Sequence, residues 1–531
     1  MASAGVEAGW LRRCRALLLG VAVLGLGCSQ GGVEADAAPS CEGRGRSQCV
    51  AAVSLGQRFG CALLYDQTVW CWGRNDESQL GYESADLCPE RLSGGQSRAV
   101  ACHSYPLQVQ GLGAVTALSA GGAHSCAIVA SGALRCWGAN TRGQLGRGSA
   151  LPSRVPVDVV GLGAVRSVAA GLSHTCAVTG DGSVYCWGSN ERRQLGVETA
   201  PQMCEVGSSQ VPCARVPVRV EAVSDAVEVV AGDAHACART STGRVYCWGT
   251  NVDGQLGAGT AGAAPLAMPQ VVLLGETRLR GVTGLSAGAN HTCATRDDGA
   301  VLCWGRHDRG QLGVAVPSMS SPCANACVRT AVPIAGYEGA GQADKDSGFE
   351  DFDASLDDAG AAPRDGALDA GGDAPSDAGA RDSGARDAQG DRTGDGPDAE
   401  DATMAHDATV AHDAIVLPDV GPPSPVSVAA GGLFSCLSLS DGTVRCWGSN
   451  RAYELGNGLM NEGGPGLTTV IASPGSAATN PLQGVTRVSA GLATSCAVLS
   501  DRSVRCWGSN ELGALGVGNM SEQNGPVAMT W

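Results

Sequence analysis

The sequence predicts an all-β fold, a seven-bladed β-propeller of four-stranded antiparallel blades, and three observations carry that reading. A spacing of Cys, nine residues, then Cys-Trp-Gly occurs seven times, beginning at Cys61, Cys126, Cys176, Cys237, Cys293, Cys436 and Cys496. A Gly stands five residues before each of these Cys (Gly56, Gly121, Gly171, Gly232, Gly288, Gly431, Gly491), and a Leu-Gly pair closes every copy, at Leu80, Leu145, Leu195, Leu256, Leu312, Leu455 and Leu515. The composition agrees, with 78 Gly, 4% aromatic residues and ten Trp, most of them at the one recurring motif: many turns, and a large ring placed once per unit.

Copy three, "VRSVAAGLSHTCAVTGDGSVYCWGSNERRQLG", shows the local logic. Short β-prone runs are broken by Gly and Asp-Gly turn signals, giving three strands, and a "VPVDVV" type of segment before the next copy supplies a fourth. Four strands in units of this length make one propeller blade. A three-residue hairpin loop with Gly182 in the left-handed conformation pairs Thr179 with Ser183 and sets Cys176 opposite Cys186. That non-hydrogen-bonded pair has a Cα separation of about 4.5 Å, which a disulfide accepts. Five copies have Gly at this position; Gln67 and Arg502 are the exceptions.

The repeat bridges expected are therefore Cys61-Cys71, Cys126-Cys136, Cys176-Cys186, Cys237-Cys247, Cys293-Cys303, Cys436-Cys446 and Cys496-Cys506, each worth roughly 2 to 3 kcal/mol in the chain-entropy model. The alternative, metal binding by these pairs, offers two thiolates and no further ligand. A Trp follows the second Cys of every copy, at positions 72, 137, 187, 248, 304, 447 and 507. Both faces of a blade are covered by its neighbours, so these rings are expected to be core rather than a ligand platform.

The copies resemble the repeat of the regulator of chromosome condensation family, whose signature runs Ala-Gly, His-Thr, Asp-Gly, Trp-Gly-x-Asn and Gly-Gln-Leu-Gly. The resemblance covers residues from about 50 to 337 and 425 to 531, and is strongest in the copies containing His124, His174, His235 and His291. It implies a seven-bladed propeller, as the count does. The best-known eukaryotic member exchanges nucleotide on a nuclear GTPase and binds nucleosomes; a secreted bacterial relative of the fold inhibits β-lactamase, and by analogy such propellers offer protein-binding surfaces.

Compartment follows from the 24 Cys and the N-terminus. So many thiols suit an oxidising environment, which makes the intracellular exchange role a poor fit. Arg12, Arg13 and Arg15 precede an apolar run from Ala16 to Gly27 that is too short to span a bilayer, so residues 1–27 read as a signal peptide. Leu24, Gly25, Leu26, Gly27 and Cys28 resemble a lipobox, although Gly25 stands where an aliphatic residue is usual, and Cys28 is the expected lipidation site; secretion without a lipid is the alternative. Residues 28–48 then form a linker, 49–337 blades one to five and 426–531 blades six and seven. The chain is expected in the cell envelope, as an outer-membrane lipoprotein or at the cell surface, and otherwise secreted.

Setting aside the repeat Cys, Cys14 and Cys28, the remaining eight pair locally as Cys41-Cys49, Cys88-Cys102, Cys204-Cys213 and Cys323-Cys327. The last three lie in equivalent loops after the Leu-Gly of copies one, three and five. By strand parity those loops share one rim with the Gly-x-x-His turns, as a binding surface on a rigid scaffold would; ordinary loop-length variation is the alternative.

Between blades five and six, residues 338–425 are rich in Asp, Ala and Gly and are expected to be disordered. From Glu338 to Asp419 they hold 22 of the 52 acidic residues and five of the 36 basic ones, which leaves 30 acidic against 31 basic elsewhere. A near-neutral body gives no electrostatic case for nucleic acid. "DKDSGFEDFD" from Asp344 has its Gly one place too early for a calcium loop.

The four His could face a common channel, but Phe59, Phe434 and Thr494 fill the position in other copies, so a structural hydrogen bond is the expectation. No nucleophile elbow, zinc-binding His pair, phosphate-cradling loop or isolated carboxylate pair is present, and no catalytic, cofactor-binding or metal residue is assigned. The function expected is a non-catalytic, monomeric cell-envelope binding protein with a protein or glycan partner on its loop rim and the membrane reached through its lipid. A hydrolase or lyase acting in the central channel is the alternative.

Overall fold

The computed structural model describes residues 49–338 and 423–531, apart from 93–94, 316–322, 324–325 and 477–479. In copy three, Val165–Ala170, His174–Thr179 and Val184–Ser189 are antiparallel strands joined by a Gly-Leu-Ser turn and an Asp-Gly hairpin. Gly182 takes φ +82° to close the hairpin, and Gln67 and Arg502 adopt φ +67° at the same place in copies one and seven. The register sets Cys176 against Cys186, and an outer strand pairs with Val184–Ser189.

Seven such sheets follow one another, each built from contiguous residues. Their first strands touch in a closed circle, from Val50–Leu55 through Val165–Ala170 to Val485–Ala490 and back to Val50–Leu55, which makes the seven-bladed propeller. Each first strand runs toward what we call the upper rim, where the Gly-x-x-His turns and the third-to-fourth connections lie. The tight hairpins and the links between sheets occupy the lower rim.

Three sheets carry more than the basic four strands. After the Leu-Gly of copies one and three the chain is not an irregular loop: Leu87–Arg91 pairs with Ser97–Gln108, and Gln202–Val206 with Ser209–Arg219, because the outer strand runs on past the blade and folds back on itself. A two-residue Gly207-Ser208 turn closes the second of these hairpins. In the fifth sheet, Leu273–Leu274 and Thr277–Arg278 form a short hairpin on the outer edge.

The core lies in the seams between sheets. Trp187 shares a buried cluster with Leu134 and Leu145 of the preceding sheet, Trp304 with Val245 and Leu256, and Trp72 closes the ring against Val504 and Leu515. Burying such a ring contributes at most about 4 to 6 kcal/mol, against about 2 to 3 for one hairpin disulfide, so the seams dominate.

Residues 1–48 and 339–422, with Cys28, Cys41 and the run from Asp344, lie outside the described residues. The second of these stretches falls between the outer strand of the fifth sheet, Cys327–Pro333, and the first of the sixth, Pro425–Ala430. No helix among the described residues is long and apolar enough to cross a membrane.

Candidate functional site

The repeat signature is a set of contacts across the seams. The indole N–H of Trp187 donates to the Gln144 carbonyl at 2.9 Å, and the other six repeat Trp donate in the same way to Gln79, Gln194, Gln255, Gln311, Glu454 and Ala514. Each acceptor precedes the Leu of the previous sheet's Leu-Gly. The Asn of Trp-Gly-x-Asn fixes that segment from inside its own blade: Asn140 Oδ1 accepts the Leu145 N–H at 2.9 Å.

Three of the four His also cross a seam. Nε2 of His124, His235 and His291 lies 2.8, 3.0 and 2.9 Å from the hydroxyls of Thr175, Thr292 and Ser435. Thr175 and Ser435 already donate to the Gln144 and Gln311 carbonyls, so at those seams the imidazole is the donor. His174 faces Ala236, which has no hydroxyl, and makes no seam bond of this kind.

All four rings are fully buried. Burial pushes His124 and His235 down to about 3, with neighbouring imidazoles adding to it. It pushes His174 and His291 down to about 4, where backbone groups offset a part. They sit in separate seams and do not converge; among the described residues no group of three or more His, Cys, Asp or Glu is placed to hold a metal.

The invariant Gly mark the closest approach of all. A Cβ on Gly171 would stand 2.6 Å from the Gly232 carbonyl oxygen and 2.3 Å from His174 Cε1. The seven Gly abut one another's carbonyls in this way right round the ring, at 2.3 to 2.8 Å, and form a collar at the upper mouth of the channel. Below the collar the channel opens into a cavity of about 350 Å³, walled by Ala, Val, Leu and Ser of the first strands. Arg487 is the one ionisable side chain in that lining among the described residues.

The upper rim carries the elaborations. Cα atoms of Cys88 and Cys102 are 5.8 Å apart and bridged, as are those of Cys204 and Cys213; Cys323 and Cys327 are bridged at 6.2 Å. The first hairpin is seated on the seventh sheet, with Cys88, Val100 and Cys102 packed on Leu512 and the Gly518 N–H donating to the Ser104 carbonyl at 2.9 Å.

Near its turn Glu90, 4% exposed, pairs with Arg58 at 2.6 Å, Arg74 at 3.0 Å and Arg98 at 2.5 Å. Burial works to raise the Glu90 carboxyl, but the Arg98 hydrogen bond and the three guanidinium charges hold it below its ordinary value. Arg58 reaches Glu511 of the seventh sheet as well, at 3.4 Å.

Most of the large apolar side chains that the described residues leave in solvent stand on this rim. Leu87, Leu92 and Met203 are on the stapled hairpins, Leu172 and Leu492 at the channel mouth, and Leu151, Leu459, Met460 and Met520 on connections after Leu-Gly. The lower rim exposes Tyr65, Val160 and Val426.

All seven repeat pairs, Cys61-Cys71 through Cys496-Cys506, are disulfide-bonded with Cα separations of 4.1 Å. Cys49 is disulfide-bonded too, while Cys41 and the expected lipidation site Cys28 lie outside the described residues. Sequence reasoning missed the Trp-to-carbonyl bonds, the clasp of the first hairpin on the seventh sheet, and Arg487. The first could have been suspected from a Gln-Leu-Gly that recurs in step with Trp; the other two depend on ring closure.

The protein-family model described as RCC1-like domain matches residues 20–346, and the regulator of chromosome condensation (RCC1) repeat matches 426–453 and 485–514. The ultraviolet-B receptor UVR8 of Arabidopsis thaliana is 26% identical over 49% of this chain and 54% of its own. The human regulator of chromosome condensation is 36% identical over 20% of this chain and 24% of its own. The secretion-regulating guanine nucleotide exchange factor of Mus musculus is 39% identical over 19% and 21%. The chain thus spans about half the length of UVR8 and a quarter or less of the other two.

Among solved structures, human WBSCR16 superposes with TM-score 0.57 at 18% identity over 87% of this chain and 94% of that one. Prp20p of Saccharomyces cerevisiae, studied for its binding to Gsp1p and histones, superposes with TM-score 0.54 at 16% identity over 83% and 80%. Those two likenesses show the propeller. The family match extends over more than half of the sequence, and with the signature contacts seen in every seam it establishes that this chain belongs to the RCC1-like domain family.

Proposed function

We propose that the chain is an exported, non-catalytic binding scaffold, tethered at a membrane through a lipid on Cys28, which presents its upper rim to a protein partner. The observation that carries this reading is the asymmetry of the two rims. Exposed Leu and Met are more numerous on the edge that also bears the stapled hairpins, and apolar side chains set among paired charges are what a protein surface recognises. Disulfide-clamped hairpins hold such side chains in place and lower the entropy lost on docking.

The fold suits that role by analogy with Prp20p, whose reported partners are proteins. Exchange activity belongs to other members, and ten disulfides among the described cysteines support an oxidising compartment over the cytosol. A hydrolase in the channel would need acid–base partners, and the lining supplies one arginine.

The test is capture from envelope extract by the full chain and by two double variants. Leu172→Asp with Leu492→Asp should abolish capture of a defined protein, and Tyr65→Asp with Val160→Asp should leave it intact. Equal capture by both would remove the rim assignment, and release of the captured material by glycosidase would replace the protein partner with a glycan. Fatty-acid labelling that persists in Cys28→Ser would sink the tether.

A further inference from the structure

The channel holds a charge that no described residue answers. Arg487 lies on the first strand of the seventh sheet opposite Val498, is exposed, and its guanidinium makes no ion pair or hydrogen bond with any described residue. At the same strand position the other six sheets have Ala52, Ala117, Ser167, Glu228, Gly284 and Ser427. Glu228 is spent on Arg239 of its own sheet at 2.8 Å, so it leaves no charge to balance Arg487. Asp233 belongs to the collar at the upper mouth and takes no part in the cavity wall.

Three hydroxyls in the wall share one direction. Ser54, Ser119 and Ser286 each accept a backbone N–H from the next sheet, those of Ala120, Ala170 and Ala430, at 2.9 Å. A hydroxyl that accepts in this way keeps its own proton to give, and none of the three gives it to a described residue. Among the described residues the side chains of the wall thus offer hydroxyl donors and a guanidinium, set in Ala, Val and Leu, with no carboxylate. Walls of low dielectric strengthen the field of a lone charge at the mouth of such a cavity.

The geometry points to the central channel as a binding site for a small monocarboxylate with a compact apolar body, its carboxylate on Arg487 and its body in the roughly 350 Å³ below the collar. Arg487 stands on the lower part of its upward-running strand, so a carboxylate entering from the lower rim meets the guanidinium first. This site is separate from the upper rim, and either can fail without the other.

Isothermal titration of the full chain with benzoate, with its neutral isostere benzamide and with inorganic phosphate tests the site. Benzoate is expected to bind once per chain, and benzamide at least about tenfold more weakly. Arg487→Gln should bring benzoate down to the level of benzamide at an unchanged melting temperature, and Arg487→Lys should recover part of the difference. Equal affinity for benzoate and benzamide, undiminished benzoate binding by Arg487→Gln, binding of phosphate without benzoate, or no heat with any of the three would each overturn the assignment.

Discussion

At position 236 the fourth sheet departs from its neighbours. Thr175, Thr292, Ser435 and Ser125 place a hydroxyl in the seam where Ala236 has a methyl, so the Gln194 carbonyl receives the Trp248 N–H without a side-chain hydroxyl beside it, and His174 goes without its partner. Ala236→Ser supplies one hydroxyl to both groups in a space that other sheets fill with Thr. It should therefore raise stability by about 1 kcal/mol at neutral pH, read as a higher urea midpoint at constant slope. A fall in the midpoint would mean that this seam is too tight for the extra atom.

The single elements were largely legible. The hairpin parity that set Cys176 against Cys186 follows from period-two alternation and one loop length, both local properties of the chain. The outer hairpins were not, because Gln202–Val206 is a strand only through the disulfide and the long partner strand beside it, and the segment "QMCEVGSSQ" alone reads as a loop. Arg487 gave no signal either, since nothing in "VTRVSA" says that this strand lines a channel while the matching side chain in the fourth sheet is paired off.

The collar, by contrast, was visible as seven Gly whose reason appears only when sheets meet. Gly171→Ala forces a Cβ into the Gly232 carbonyl and the His174 ring and should cost about 1 to 3 kcal/mol or more, whereas Gly180→Ala, 3.7 Å from its nearest neighbour, should cost much less. Thermal melts of the two variants decide it, and equal loss would mean that the collar has room to open.

Across the whole ring, the buried imidazoles make stability depend on pH. Their folded values of about 3 to 4 lie below the ordinary 6.5, so the unfolded chain takes up protons that the native one refuses. The stability they permit is fully present above pH 6.5 and is lost as pH falls from there toward 4, by about 2 kcal/mol per ring between pH 7 and 5. Denaturant midpoints should be level from pH 7 to 8 and drop through pH 6 to 5. A variant with His124, His235 and His291 replaced by Gln should lose most of that slope, and a slope that persists would have to come from other groups.

No sheet borrows a strand from another, and the seventh meets the first through side chains and a few backbone bonds: Trp70 edge-on to Trp531 at 6.0 Å, the Val50 N–H on the Arg502 carbonyl at 3.1 Å, and Leu512 under the first hairpin. Every blade can accordingly finish itself as it emerges during synthesis, without waiting for a distant stretch of chain, and can oxidise its own thiols in turn. The last seam alone must wait, so a half-made molecule is an open arc whose first unit shows bare Trp flesh to the solvent until its final neighbour arrives.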